Sequence, residues 1–431
     1  MTRGRGSTRR GFLHGLGAAA LGVGFQGLGG AGLLPTAQAA APGERRFLFV
    51  FCRGGWDPTY VLAPQFGRSA VSVEATAEPA TTGGLDWVDS GERPSVRRWF
   101  ERHHARAAIL RGFEVQSISH ERCAKLLMTG RADDERDDWG SMLAARSPEL
   151  RALPYLVLGG PCFTARYADQ VVRNGETGQL GRLVSGAAVT AQVDRPVRLP
   201  TTEGQALADA FVRNRAAALE QAGRSLRDRD AARRYVQALD RIDLLERSGL
   251  QVGSAPDNNP IWSPFATALD ALEVGASRCA AVEYDGLWSQ SWDSHAAIYM
   301  QSYHWEELFQ LLLRLGDELT LRPGLAGGSL LDEVTVVVYS EMGRGPRLNS
   351  TGGKDHFTYT SALLFGAGIA GDRVAGSYTE SGFGGGVDLA TGGEGTEALL
   401  AAHLGATLLT LGDIDPLEVG ITASPITALL A

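Results

Sequence analysis

Carboxylates and imidazoles stand just beyond apolar runs in several short stretches of this chain. Asp57 lies in "CRGGWDP", directly after the run "RRFLFVFC" (45–52). Asp293 and His295 lie in "WDSHA", Glu341 and Arg344 in "SEMGRGPR", and Asp355-His356 in "TGGKDHF". Such oxygen and nitrogen donors are what α/β folds gather from distant segments to hold a divalent metal. Each also has a structural explanation when taken singly. Asp57 reads as a turn former, Asp293 as the cap of a helix starting near His295, and His356 as a satisfied core histidine. Their recurrence at strand ends points to a site.

A further stretch, "SISHERCAKLLMTGR" (117–131), places Ser119 and His120 at the start of a helical pattern over 119–129. A helix N-terminus favours developing negative charge, so it suits a nucleophile. Ser119 offers the only adjacent hydroxyl. His120 suits a metal ligand or a general base for water, and direct attack by imidazole is less common. A capping serine followed by a buried histidine is the plain structural alternative. Arg344 or Arg53 would neutralise charge on a transferred group.

These residues need strands to hold them. Apolar runs at 45–52, 107–113, 154–160, 278–284, 334–340 and 361–368 read as strands, with helical patterns at 119–129, 295–320 and 395–410. Strands alternating with helices predict a three-layer α/β/α sandwich with a mostly parallel sheet over about 45–425. Ligands then bind beyond the carboxyl ends of the strands. The Arg-rich, helix-forming stretch within 200–250 interrupts this rhythm and reads as a helical insertion, either a lid or a plain surface pair. "GAGIAG" (366–371) fits a dinucleotide fingerprint, but the turn-rich "DRVAGSYTESGFGGG" after it cannot open the helix that cradles a pyrophosphate.

The first 39 residues read as a twin-arginine signal peptide: Arg9-Arg10, a mild Gly/Ala-rich run, then Ala37-Gln38-Ala39 as the cleavage site. This predicts a periplasmic or secreted protein, carried by the twin-arginine translocase and without a permanent membrane anchor; a retained anchor is the alternative. The leader holds four arginines and no acid, so its loss takes the formal charge from −8 to −12. Such an acidic body offers no electrostatic footprint for nucleic acid. The four cysteines show no metal-type spacing, and buried free thiols are the simplest reading.

The motifs "FVFCRGGWDPTYVLAP", "WDSHA", "YSEMGRGPRLN", "GGKDHF" with "LLFGAGIAGDRVAG", and "GATLLTLGDIDP" resemble, in this order, the bacterial domain of unknown function 1501 family. The likeness spans about 45–420. It implies export and the alkaline phosphatase and sulfatase superfamily, with an α/β/α fold and one or two divalent metals. By position, Asp57 resembles the first-strand metal Asp, Asp293 and His295 an Asp/His pair, and His356 the last histidine ligand. Glu341 stands where that superfamily carries an Asp-His pair. The sulfatase pattern C-x-P-x-R would fall on His120, Arg122 and Ala124, so formylglycine chemistry is not expected.

The reading is thus an exported, metal-dependent hydrolase of a phosphate or related ester, either a small molecule or an envelope polymer. Asp57, Asp293, His295, Glu341 and His356 would hold zinc or manganese, with calcium a further candidate. His120, Ser119 and Arg344 would act on the substrate. The rival is a non-catalytic protein that binds a ligand or envelope partner in the same cleft.

Overall fold

The computed structural model describes residues 45–174, 201–222, 225–250 and 259–431; the leader read over 1–39 lies outside them. Its main sheet draws on β1 (Arg46–Cys52), β4 (Ala107–Glu114), β5 (Tyr155–Val157), β6 (Val171–Arg173), β7 (Cys279–Tyr284), β8 (Val334–Tyr339), β11 (Tyr359–Gly366) and β12 (Arg373–Ala375). The order across the sheet is β12-β4-β11-β8-β1-β7-β5-β6. A hairpin of β2 (Glu78–Thr82) and β3 (Leu85–Asp89) and a two-residue pair, β9 (Gly343–Arg344) and β10 (His356–Phe357), lie beside it.

The continuous apolar character of β1 has a direct cause: both of its faces are covered. Leu48, Val50 and Cys52 enter one core with Trp99 and Phe100 of α1 (Pro94–His103), Phe265 and Leu269 of α6 (Trp262–Glu273), and Leu308 and Phe309 of α7 (Met300–Leu321). Phe47, Phe49 and Phe51 enter a second core on the opposite face. There they meet Cys123 and Leu127 of α2 (His120–Thr129), Leu143 of α3 (Trp139–Ala145), and Leu404 and Leu408 of α8 (Ala401–Leu411). Helices therefore sandwich a largely parallel sheet. The Arg-rich stretch forms α4 (Thr202–Ala222) and α5 (Leu226–Arg247), which pair with each other.

One strand runs against the rest. β11 is antiparallel to both β8 and β4, whereas β1 is parallel to β7 and β8, β5 to β6 and β7, and β12 to β4. The β9–β10 pair turns the chain back beyond the end of β8, and an antiparallel neighbour needs no crossover helix. Residues just before β11 consequently sit at the same sheet edge as residues just after β1, β7 and β8. "GAGIAG" is only the turn leaving β11, with Gly366 and Gly368 at φ +99° and +70°. The helix expected from 295 starts at Met300; Ala296 instead pairs with Gly352, so Asp293 caps no helix. All four cysteines are free.

Candidate functional site

Two tryptophan-aspartate pairs frame the carboxyl edge of the sheet. Trp56 and Trp292 are fully buried and meet edge to face at 6.1 Å, with Trp305 of α7 stacked on Trp56 at 4.6 Å. This indole cluster fixes the turns that carry Asp57 and Asp293. Gly54, at φ +115°, lets those turns close: a Cβ there would lie 2.6 Å from the Asp293 nitrogen. Gly353 does the same for the loop before β10, since its Cβ would lie 2.2 Å from the His295 carbonyl.

Three imidazoles converge on the carboxylate of Asp293. His295 Nε2 and His356 Nε2 are each 3.4 Å from Asp293 Oδ1, and His120 Nε2 is 3.4 Å from Oδ2. His295 Nε2 and His356 Nε2 are 2.9 Å apart. The other ring nitrogen of each histidine faces an oxygen that can only accept: His120 Nδ1 donates to Glu341 Oε1 at 2.7 Å, His356 Nδ1 to the Ile118 carbonyl at 2.8 Å, and His295 Nδ1 to Asp355 Oδ1 at 3.3 Å. A neutral imidazole protonated at Nδ1 turns a lone pair outward at Nε2. Three such lone pairs and a carboxylate then meet, an arrangement held together only by a proton or a cation among them. His120 Nε2 is itself buried and has no hydrogen-bond partner among the described residues.

His120, Asp293 and His356 form a group that could hold a metal ion, their ligand atoms lying within 4.8 Å of one another. Metal–ligand bonds of about 2.0–2.1 Å at tetrahedral angles separate the ligand atoms by roughly 3.3 Å. His120 Nε2 and His356 Nε2 each stand 3.4 Å from an Asp293 oxygen, which fits that requirement. Acceptors behind the ligating imidazoles are the usual support of such a site. Electrostatics follow the same contacts. The Glu341 carboxylate raises His120 above the ordinary imidazole value against its partial burial, while burial lowers His356. Partial burial would raise Asp293, but the Arg344 guanidinium, with His120 and His295, outweighs it and holds the carboxyl low.

The remaining expected residues are placed differently. Asp57 is fully buried, and its carboxylate is already engaged. Oδ1 accepts from Thr59 N at 3.0 Å and Thr59 Oγ1 at 2.7 Å, capping a short 3-10 turn; Oδ2 accepts from Lys354 Nζ at 2.6 Å. An ammonium in that place repels a second cation, so Asp57 is a buried ion-pair partner and not part of the imidazole cluster. Glu341 is equally occupied: Oε1 accepts from Gly54 N at 2.8 Å and from His120, and Oε2 from Ser340 Oγ at 3.1 Å. Arg344, its side chain fully buried, donates to the Gly54, Gly55 and Lys354 carbonyls and, at 2.7 Å, to Asp293 Oδ1. Those bonds leave it a clamp between turns, not a group facing substrate. Ser119 is exposed at the N-cap of α2, and its side chain makes no capping bond.

Lys354 stands in the same "GGKDHF" as Asp355 and His356, but an ammonium is no metal donor and gave no signal in the sequence. Nor could the sequence name the Ile118 carbonyl, which carries no residue-type signal.

The cluster opens into a cleft of about 760 Å³ between the turn after β1, the first turns of α2 and the loop after β5. Ser119, Arg53, Arg122, Lys125, Phe51 and Phe163 line it. Arg53 pairs with Glu283 and Lys125 with Asp134, whereas Arg122 is exposed and has no ion-pair partner among the described residues.

Residues 265–388 match the model of the family described as "Protein of unknown function (DUF1501)". That segment carries Asp293, His295, Glu341 and His356 and excludes Asp57 and His120. No curated protein matches the chain. Similar solved structures include Ps i-CgsB in complex with k-i-k-neocarrahexaose, 8% identical over 88% of this chain and 75% of that one, with a TM-score of 0.33. Another holds its substrate D-glucosamine-2-N,6-O-disulfate (10% identity, 90% and 80% coverage, TM-score 0.34). A third is a Bacteroides thetaiotaomicron protein described under the metabolism of multiple glycosaminoglycans (11% identity, 88% and 75% coverage, TM-score 0.33). Among the described residues, no helix is long and apolar enough to cross a membrane.

Proposed function

We propose that this chain is a metal-dependent hydrolase of a phosphate or related ester, on an alkaline phosphatase-like scaffold and exported by the twin-arginine route. The observation that carries the proposal is the convergence of His120, His295 and His356 on Asp293 at the foot of an open cleft. Mixed nitrogen and oxygen donors suit zinc or manganese, whereas calcium takes an all-oxygen shell. His120, Asp293 and His356 would hold the ion, with His295 beside them. A divalent ion there supplies Lewis-acid polarisation of an ester oxygen.

The chain's own residues do the rest. The uncapped N-terminus of α2 presents backbone N–H groups beside the cluster and favours negative charge on the ligand. Arg122, without an ion-pair partner among the described residues, attracts an anionic group in the cleft, which Arg53 and Lys125 also line. Ser119 holds the only hydroxyl on the first turn of α2, open to solvent; water is the other nucleophile available. Ser119→Ala and His120→Ala, assayed on aryl phosphate and aryl sulfate esters, test the assignment. Retention of most activity in the first and loss in the second supports it. The reverse result, or a trapped phospho-Ser119, overturns it.

A second reading, ligand binding without turnover, is favoured by one observation: Arg344 and Asp57 are both consumed by internal bonds. Metal binding with no esterase activity on any such ester would support it.

A further inference from the structure

Glu341 sits at the end of β8, buried, with a single oxygen doing two things. Its Oε1 accepts from Gly54 N at 2.8 Å, which pins the turn after β1, and from His120 Nδ1 at 2.7 Å, which orients the first residue of α2. The other oxygen accepts from Ser340 Oγ, whose own oxygen accepts from Gly55 N and Trp56 N at 3.1 and 3.2 Å. No lone pair of Glu341 Oε1 is left over for a metal beyond these two bonds. His120 Nε2, on the far side of the ring, is buried and has no hydrogen-bond partner among the described residues.

We propose that Glu341 is a positioning residue: it fixes His120 in the Nδ1–H tautomer and so aims the Nε2 lone pair at the Asp293–His356 cluster. The inference rests on the metal reading above but concerns a property of the metal-free protein. The carboxylate accepts the Nδ1 proton bond, and a neutral imidazole has only one N–H, so Nε2 is left bare. Without that acceptor the ring is free to carry its proton on Nε2 and to rotate, and ligation must first reverse both. Outer-shell acceptors of this type typically contribute about 10–100-fold in metal affinity.

Glutamine and alanine at 341 separate this role from direct ligation. Gln keeps a carbonyl oxygen that accepts from Gly54 N and His120 Nδ1, but its amide is a poor metal ligand. Ala removes the acceptor. The test is nitrogen-15 NMR of histidine-labelled, metal-free protein, with His120→Gln to assign the signal, together with zinc titration calorimetry on the same samples. Wild type and Glu341→Gln are expected to show His120 protonated at Nδ1 and zinc affinities within about threefold of each other. Glu341→Ala is expected to lose the tautomer and about 10–100-fold in affinity. A Glu341→Gln protein as weak in zinc as Glu341→Ala would make Glu341 a ligand and overturn the proposal. So would an Nε2–H tautomer in wild type, which is readable even if Glu341→Ala fails to fold. If wild type binds no zinc but shows the Nδ1–H tautomer, the metal reading fails and the positioning role stands.

Discussion

Lys354 places its ammonium 2.6 Å from the carboxylate of Asp57, with both side chains almost wholly removed from solvent. The pair joins the loop before β10 to the turn after β1, and Lys354 Nζ also reaches Thr59 Oγ1 at 3.2 Å. The cation that Asp57 holds is therefore supplied by the chain.

Breaking that pair from one side leaves a buried charge. Lys354→Met is expected to destabilise the protein by about 3–5 kcal/mol, the usual cost of an uncompensated buried ion. Adding Asp57→Asn should recover much of it. Urea unfolding of the single and double variants measures this, and a single variant as stable as wild type would show that Lys354 does not compensate a buried Asp57 charge.

Arg122 should matter to ligand and not to fold. It is exposed and has no ion-pair partner among the described residues, so Arg122→Ala is expected to change stability by less than about 0.5 kcal/mol. Inorganic phosphate binding to the zinc-loaded protein should weaken about tenfold, as loss of a charge-assisted bond implies. The deficit should shrink as salt rises. Undiminished phosphate affinity at low salt would place the anion elsewhere in the cleft.

How much of this was legible in the sequence depends on what carried the signal. The strands were readable because β1 and β8 are apolar on both faces, and the helix over 119–129 ends at Gly130, in the left-handed region at φ +70°. Asp293, His295 and His356 were readable as donors near strand ends. What brings His356 to the same edge was not: a residue before a strand joins residues after other strands only if that strand is reversed, and β11 is. Asp57 and Asp293 look alike in sequence, each preceded by Trp. Only the fold reveals that Lys354 neutralises one while imidazoles surround the other. His120 was singled out for its place on α2, but its partner Glu341 lies 221 residues away and had no local sign.

Two buried histidines outside the site make stability depend on pH. Burial lowers His103, packed against Trp99, and His304, whose Nδ1 accepts from Leu287 N at 2.9 Å; both fall from an ordinary 6.5 to about 4. The unfolded chain therefore binds more protons than the fold between these values. The stabilisation is complete above pH 6.5 and is lost as pH falls through 4. Urea midpoints across this window should fall less steeply in His103→Leu than in wild type. Equal slopes would contradict a neutral, buried His103.

The proposed function stands on His120, Asp293 and His356 forming one metal centre, with His295 beside them. Zinc titration of the chelator-stripped protein, in wild type and in the double variant Asp293→Asn/His356→Ala, tests it most directly. One ion per chain is expected in wild type and none in the double variant, with both proteins folded by circular dichroism. No binding by wild type, or an unchanged stoichiometry in the double variant, would contradict it.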